Sequence, residues 1–281
     1  IVLNSPAMFG ALVFDLASLP GRLFTVLARV IDTVVETLHW QWVRLTHRPT
    51  RILLPDTRRR RHVFATWRER VLEPYDPEAH RPLLRRLWVA SSFPEEEFSP
   101  TSRRWTSLGF QSPEPATDFR GGGALSLKCM VYMAETYHEE YMRLSAERPL
   151  EVYYPFCASF INVSFALLDV LGIRDLGVGD ELGRSPTNKC TYGFVRRIVV
   201  YDDDAYTGDD GIGYGGAHRH HHHPVELAFF EVAVETMIEL DRVFKAEGAS
   251  YMDFPRVRAM VLEGLVRRIG HRRSYARVSG T

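Results

Sequence analysis

From Leu23 onward the apolar positions fall at helical steps. Leu23, Leu27, Ile31, Val34, Leu38, Trp42 and Leu45 recur every three or four residues, while Arg22, Thr25, Arg29, Asp32 and Glu36 fill the opposite side. That spacing predicts an amphipathic helix. An Arg-bearing polar side and a Trp-bearing apolar side also suit a helix lying on a membrane. The mixed charges weaken any pull toward anionic lipid, so the expectation is a helix packed on a protein core. Pro49 and Pro55 punctuate the next stretch, which ends in four consecutive Arg at 58–61. Such a run reads as the solvated face of a helix over 63–72. A short helix over 78–89 places Leu83, Leu84, Leu87 and Trp88 on one side, and 91–102 reads as a loop.

Downstream the helices lengthen. Leu127, Met130, Ala134, Tyr137 and Tyr141 share a face, as do Phe160, Ser164, Leu167 and Leu171. Pro155 suits the first turn of the second of these, and Gly172 its stop. Val225, Phe229, Val232, Thr236, Leu240 and Val243 mark a helix opening at Pro224 and ending by Gly248. Asp253 is the expected N-cap of a last one, with Val257, Val261, Leu265 and Ile269 as its stripe and Gly270 as its end. The period is helical nearly throughout, which predicts an all-α fold of irregular multi-helix type. One segment departs from it. Residues 177–223 are rich in Gly, Asp and His, with only 194–201 reading as a strand or short ordered piece, and form a long loop insertion.

Composition narrows the function classes. Lys and Arg total 35 against 35 Asp and Glu, a balance that argues against a protein devoted to nucleic acid. The charge is unevenly placed, with basic ends and an acidic middle. Three Cys without a C-x-x-C pair exclude a disulfide scaffold and a thiolate zinc site, and point to a reduced, cytoplasmic setting. The apolar stretch 7–19 is interrupted by Asp15 and is too short to span a bilayer, so no integral membrane segment is expected. His218 and the imidazoles at 220–223 read as a low-complexity loop, since no Cys pair or ordered carboxylate completes a closed site. Asp202, Asp203, Asp204, Asp209 and Asp210 miss the alternating pattern of a calcium loop. Neither a metal nor a cofactor is expected. The chain contains no G-x-S-x-G, H-E-x-x-H or G-x-x-x-x-G-K-[ST] motif.

The most distinctive stretch is 105–127. Pro113 and Pro115 hold an extended approach, Thr117 and Asp118 are capping residue types, and the glycines at 121–123 permit backbone shapes other residues resist. Arg120 therefore sits on a rigid corner ahead of a long helix. It either presents its guanidinium to a partner or folds back on Asp118 or another carboxylate to pin the corner.

Trp105, then Leu108-Gly109-Phe110-Gln111, Pro115, Thr117-Asp118-Phe119-Arg120-Gly121 and Gly123 together resemble the signature of the ELMO domain. The likeness continues at Tyr154-Pro155-Phe156 and Ile161-Asn162-Val163, and resumes at Phe229, Leu240-Asp241, Met252-Asp253-Phe254 and Val257. Trp40, Trp42, Arg44, Leu45, Thr46, Arg51 and Ile52 are similar to the lead-in helix of the short ELMO-domain-only proteins. The resemblance implies an ELMO domain at 101–272 carrying the 177–223 insertion, preceded by a helical region at 1–100 that packs on it and followed by a tail at 273–281. It further implies a GTPase-activating protein for a small GTPase of the Arf/Arl family in its GTP form, with Arg120 as an arginine finger. The larger ELMO scaffold proteins lack this arginine, which places the chain with the activators. Asp118, Thr117 and Gly121 are then expected to shape the corner, Gln111 to meet the partner's switch region and Asn162 to pin the loop from behind. Trp105, Phe110 and Phe119 are read as core wedges. The alternative is a non-catalytic adaptor docked in a cytoskeletal or ciliary assembly, with the same corner buried or tied internally.

Overall fold

The computed structural model describes residues 21–46, 55–146, 154–174, 189–198 and 223–270. These residues are mostly helical, and no strand occurs among them, so the fold is all-α as the periodicity predicts. The helices are α1 (Gly21–Thr46), α2 (Pro55–Val71), α3 (Arg81–Ala90), α4 (Arg103–Ser107), α5 (Phe119–Thr136), α6 (His138–Ser145), α7 (Phe156–Val170), α8 (Lys189–Arg197), α9 (Pro224–Ala246) and α10 (Phe254–Gly270). The chain divides into two compact units, one of residues 1–58 with 181–187 and the other of 59–180 with 188–281. Within the first unit α1 is a 26-residue amphipathic helix.

The core of the second unit is built around α5 and α7. From Ala124 to Ala134 nearly every residue of α5 is buried, and α7 buries Phe156, Phe160, Val163 and Leu167. Two such helices are apolar almost all round because other helices cover them: α3 and α6 pack on α5, and α9 and α10 pack on α7. Removing the Phe160 ring from this interior would leave a cavity costing about 3–5 kcal/mol.

The chain's stops follow local chemistry. Gly172 (φ +66°) and Gly248 (φ +57°) end α7 and α9 in the left-handed region that glycine adopts without a Cβ penalty. Pro224 opens α9, and the His223 ring accepts from the Val225 N–H at 3.3 Å. Pro155 stands as the N-cap of α7 rather than in its first turn.

Other expectations are corrected. Residues 194–197 are helical, not extended. Cys190, Phe194, Val195 and Ile198 are buried at helical spacing, and residues 199–201 lie outside the described residues. The shared face from Leu127 to Tyr141 belongs to two helices, since Tyr137 (φ −121°, ψ 50°) breaks the chain between α5 and α6. The Arg run lies inside α2, where Arg60 is half-buried and Arg61 buried. Arg60 donates to the carbonyls of Arg196, at 2.7 Å, and of Ile198, groups at the α8 C-terminus that the helix itself leaves without partners. Asp253 does not cap α10 alone. Its carboxylate accepts from the Ser250 N–H (3.0 Å) and hydroxyl (2.8 Å) in a capping box around the turn Tyr251–Asp253.

Candidate functional site

The corner ahead of α5 is assembled from two adjoining segments and a third that is distant in sequence. The first is the turn at 108–111. Gly109 takes φ +88°, and a Cβ there would lie 2.4 Å from the Phe156 nitrogen, so only glycine lets the turn lie this close to α7. The Leu108 and Gly109 carbonyls accept from Cys157 N–H (3.2 Å) and Ala158 N–H (3.1 Å). The loop thereby satisfies the unpaired donors of the first turn of α7.

The second segment is the approach itself. Pro115–Thr117 forms a single 3-10 turn. The Thr117 hydroxyl donates to the Glu114 carbonyl at 2.9 Å and lies 3.1 Å from Ser112 Oγ. Asp118 sits at the N-cap position of α5 but makes no cap there. Its Oδ2 accepts from the Gln111 N–H at 2.8 Å instead, tying the two ends of the 111–118 loop together.

The third segment follows α2, and nothing in the residue types announced it. Gly123 takes φ +60° and ψ −165°, splitting α5 into a first turn and the helix proper. A Cβ on Gly123 would lie 2.6 Å from the Glu73 carbonyl oxygen. That same carbonyl accepts from the Ala124 N–H at 3.2 Å. Beside it, the Tyr75 ring lies 4.9 Å from Phe119 and stacks on His80 at 5.5 Å. Burial, with Asp76 and Glu114 nearby, pushes the Tyr75 hydroxyl above its ordinary range. His80 is buried, its Nδ1 3.0 Å from the Asp76 nitrogen and its Nε2 3.7 Å from a Glu73 carboxylate oxygen.

Phe119 is completely buried and closes an aromatic series, Trp88–Trp105 (5.0 Å), Trp105–Phe110 (5.7 Å) and Phe110–Phe119 (5.8 Å). Trp105, Phe110 and Phe119 are thus the core wedges expected. The next residue, Arg120, is exposed. Among the described residues no side-chain hydrogen bond or ion pair holds its guanidinium, and Asp118 is engaged elsewhere. Gly121 is exposed, with open space where a Cβ would stand. Gln111 and Asn162 are exposed as well. Asn162 donates to the Ala158 carbonyl of its own helix at 2.9 Å. The arrangement presents a permanently charged, planar donor group on a backbone fixed from three sides.

Among the described residues little else is poised for chemistry. Burial raises the pKa of all three thiols, Cys190 to about 11, so each stays protonated and inert. Among the described residues no group of three His, Cys, Asp or Glu is placed to hold a metal ion. The imidazoles at 218 and 220–222 and the Asp cluster at 202–210 lie outside the described residues.

The model of the ELMO/CED-12 family matches residues 63–258, a span that takes in every part of this corner. The chain belongs to that family. ELMO domain-containing relatives are similar to it over shorter stretches. Ankyrin repeat and ELMO domain-containing protein D of Dictyostelium discoideum is 35% identical over 99 residues, 34% of this chain and 8% of that protein. ELMO domain-containing protein B of the same organism is 33% identical over 100 residues, 35% of each chain. ELMO domain-containing protein 2 of Homo sapiens is 34% identical over 94 residues, 32% of each. The alignments thus span about a third or less of these relatives. No solved structure matches this ELMO-family chain.

Proposed function

We propose that this ELMO-family protein is a GTPase-activating protein for a small GTPase of Arf/Arl type, and that Arg120 is the arginine it supplies in trans. Family membership supports a role in small-GTPase regulation in general. The observation that carries the finer reading is the state of Arg120: exposed, unpaired among the described residues, and set on a corner braced by Glu73, Asp118 and the first turn of α7. Hydrolysis of GTP spreads charge over the transferred phosphoryl oxygens. A guanidinium entering a partner's active site stabilises that charge, and it does so best when its backbone needs no rearrangement on docking. Gln111, Gly121 and Asn162 supply the exposed surroundings for the partner's switch region, while Thr117 and Asp118 hold the loop.

The adaptor alternative, in a cytoskeletal or ciliary assembly, calls for a corner tied down internally. The open guanidinium favours the finger. The test is single-turnover GTP hydrolysis by a panel of purified Arf and Arl proteins with and without this protein. Wild type accelerates at least one member, and Arg120→Ala removes roughly 10³-fold or more of that acceleration. A folded wild-type protein that accelerates none of the panel overturns the activator reading.

A further inference from the structure

We propose that the turn between α2 and α3, residues 72–79, is a second part of the surface on which the GTPase docks, and that it selects a partner carrying Lys or Arg beside its nucleotide. The inference rests on the GTPase reading of Arg120. A specific interface covers about 800 Å² on each protein, far more than one guanidinium offers, so a protein that receives Arg120 also covers the chain next to it. The α2–α3 turn is such chain. Its Glu73 carbonyl accepts from the Ala124 N–H at 3.2 Å, and its Tyr75 ring lies 4.9 Å from Phe119, the residue before Arg120. Of residues 72–79 all but Tyr75 are exposed, Leu72 at 51%. Leu72, Pro74 and Pro77 supply apolar contact. The two prolines and the Asp76 carboxylate, which accepts from the Glu78 and Ala79 N–H groups at 2.9 and 2.8 Å, hold the turn in one shape, so little freedom is lost on docking.

Charge selects the partner. Across 72–81 and 111–121, the carboxylates of Glu73, Asp76, Glu78, Glu114 and Asp118 stand against two arginines, Arg81 and Arg120. Arg81 pairs with Glu78 at 3.4 Å. Lys128 adds a third cation, 3.9 Å from Glu73, and is itself 3.4 Å from Glu226. Glu114 acts across the gap between the two segments, since it helps to push the Tyr75 hydroxyl up. The surroundings of Arg120 are therefore net negative even with Arg120 counted. Such a rim repels a free phosphate anion, and it favours a phosphoryl group that arrives inside a protein whose own cations meet the turn. A second copy of this chain is a poorer occupant, because two net-negative surfaces repel each other.

The test is single-turnover hydrolysis by the Arf or Arl protein that responds, titrated with the full chain to give a half-saturating concentration and a rate at saturation. Glu78→Lys combined with Glu114→Lys raises the half-saturating concentration about tenfold or more at low salt, with the loss there and not in the rate at saturation, and the difference from wild type shrinks as salt rises. Arg120→Ala does the reverse, lowering the rate at saturation. Ala79, exposed on the same turn, provides a variant that a folding defect cannot imitate: Ala79→Glu adds a carboxylate and lowers the half-saturating concentration. Acceleration whose half-saturation is unmoved by these charge changes and by salt overturns the docking proposal and leaves the activator reading standing. Acceleration of no panel member overturns both. A monomer–dimer equilibrium by sedimentation that Leu72→Asp abolishes, with half-saturation unmoved, also overturns the docking proposal, since a second copy then owns the turn.

Discussion

At the scale of single residues, Arg120 depends on neighbours that carry no reactive chemistry. Phe119 anchors the turn in the core on one side, and Gly123 releases it from the helix on the other. Gly123→Ala places a methyl against the Glu73 carbonyl at a backbone conformation that L-residues resist. The variant is expected to lose about 1–3 kcal/mol of stability, read as a lower urea midpoint at unchanged slope. It also shifts the Arg120 turn, so its loss of GTPase acceleration exceeds its loss of binding. Of this site the sequence made Arg120, Asp118 and the glycines visible, because charge, capping type and permissive backbone are properties of residue type. Glu73 and Tyr75 were not visible. Glu73 acts through a carbonyl that every residue possesses, and Tyr75 through a ring contact 44 positions away. The pairing of Asp118 with Gln111 N–H was hidden for the same reason, since a carboxylate beside an arginine invites the ion pair first.

At the scale of elements, the turn between α2 and α3 joins the corner to the rest of the core. Asp76 Oδ1 accepts from the N–H groups of Glu78 (2.9 Å) and Ala79 (2.8 Å), and these bonds hold its carboxyl below the ordinary range. A depressed folded-state pKa contributes stability above the unfolded value, near pH 4, that is lost as pH falls through the folded one. Asp76→Asn is therefore expected to lower the urea midpoint near neutrality and to flatten its dependence on pH between about 5 and 2. A variant whose acid limb matches wild type would assign that limb to other carboxylates. Among the helices, α9 and α10 were legible because apolar steps of three and four coincide with their buried faces. Over 194–201 the β-branched residues suggest a strand or a short ordered piece; residues 194–197 are an ordered piece of helix, with Cys190, Phe194 and Ile198 buried on one side of it. Four consecutive Arg looked solvated because only the folded chain brings the α8 carboxyl end to Arg60. For α1, period alone located the helix, yet period cannot say whether an apolar stripe meets protein or stays open.

At the scale of the molecule, the family match of 63–258 belongs to the second unit apart from residues 181–187, and α1 precedes it. The second unit brings the end of α2, the loop before α5 and the start of α7 to one place, with the Arg120 guanidinium exposed there. On the proposed function, that arrangement presents Arg120 to a phosphoryl group in another protein. A finger binds the transition state better than the ground state. The direct measurement is the affinity of wild type and Arg120→Ala for the responsive GTPase, loaded either with GDP and aluminium fluoride or with a non-hydrolysable GTP analogue. Wild type is expected to prefer the fluoride complex by on the order of 10²-fold or more, and Arg120→Ala to bind both forms alike. Equal affinity of wild type for the two forms, or a preference that survives Arg120→Ala, would contradict the proposed function.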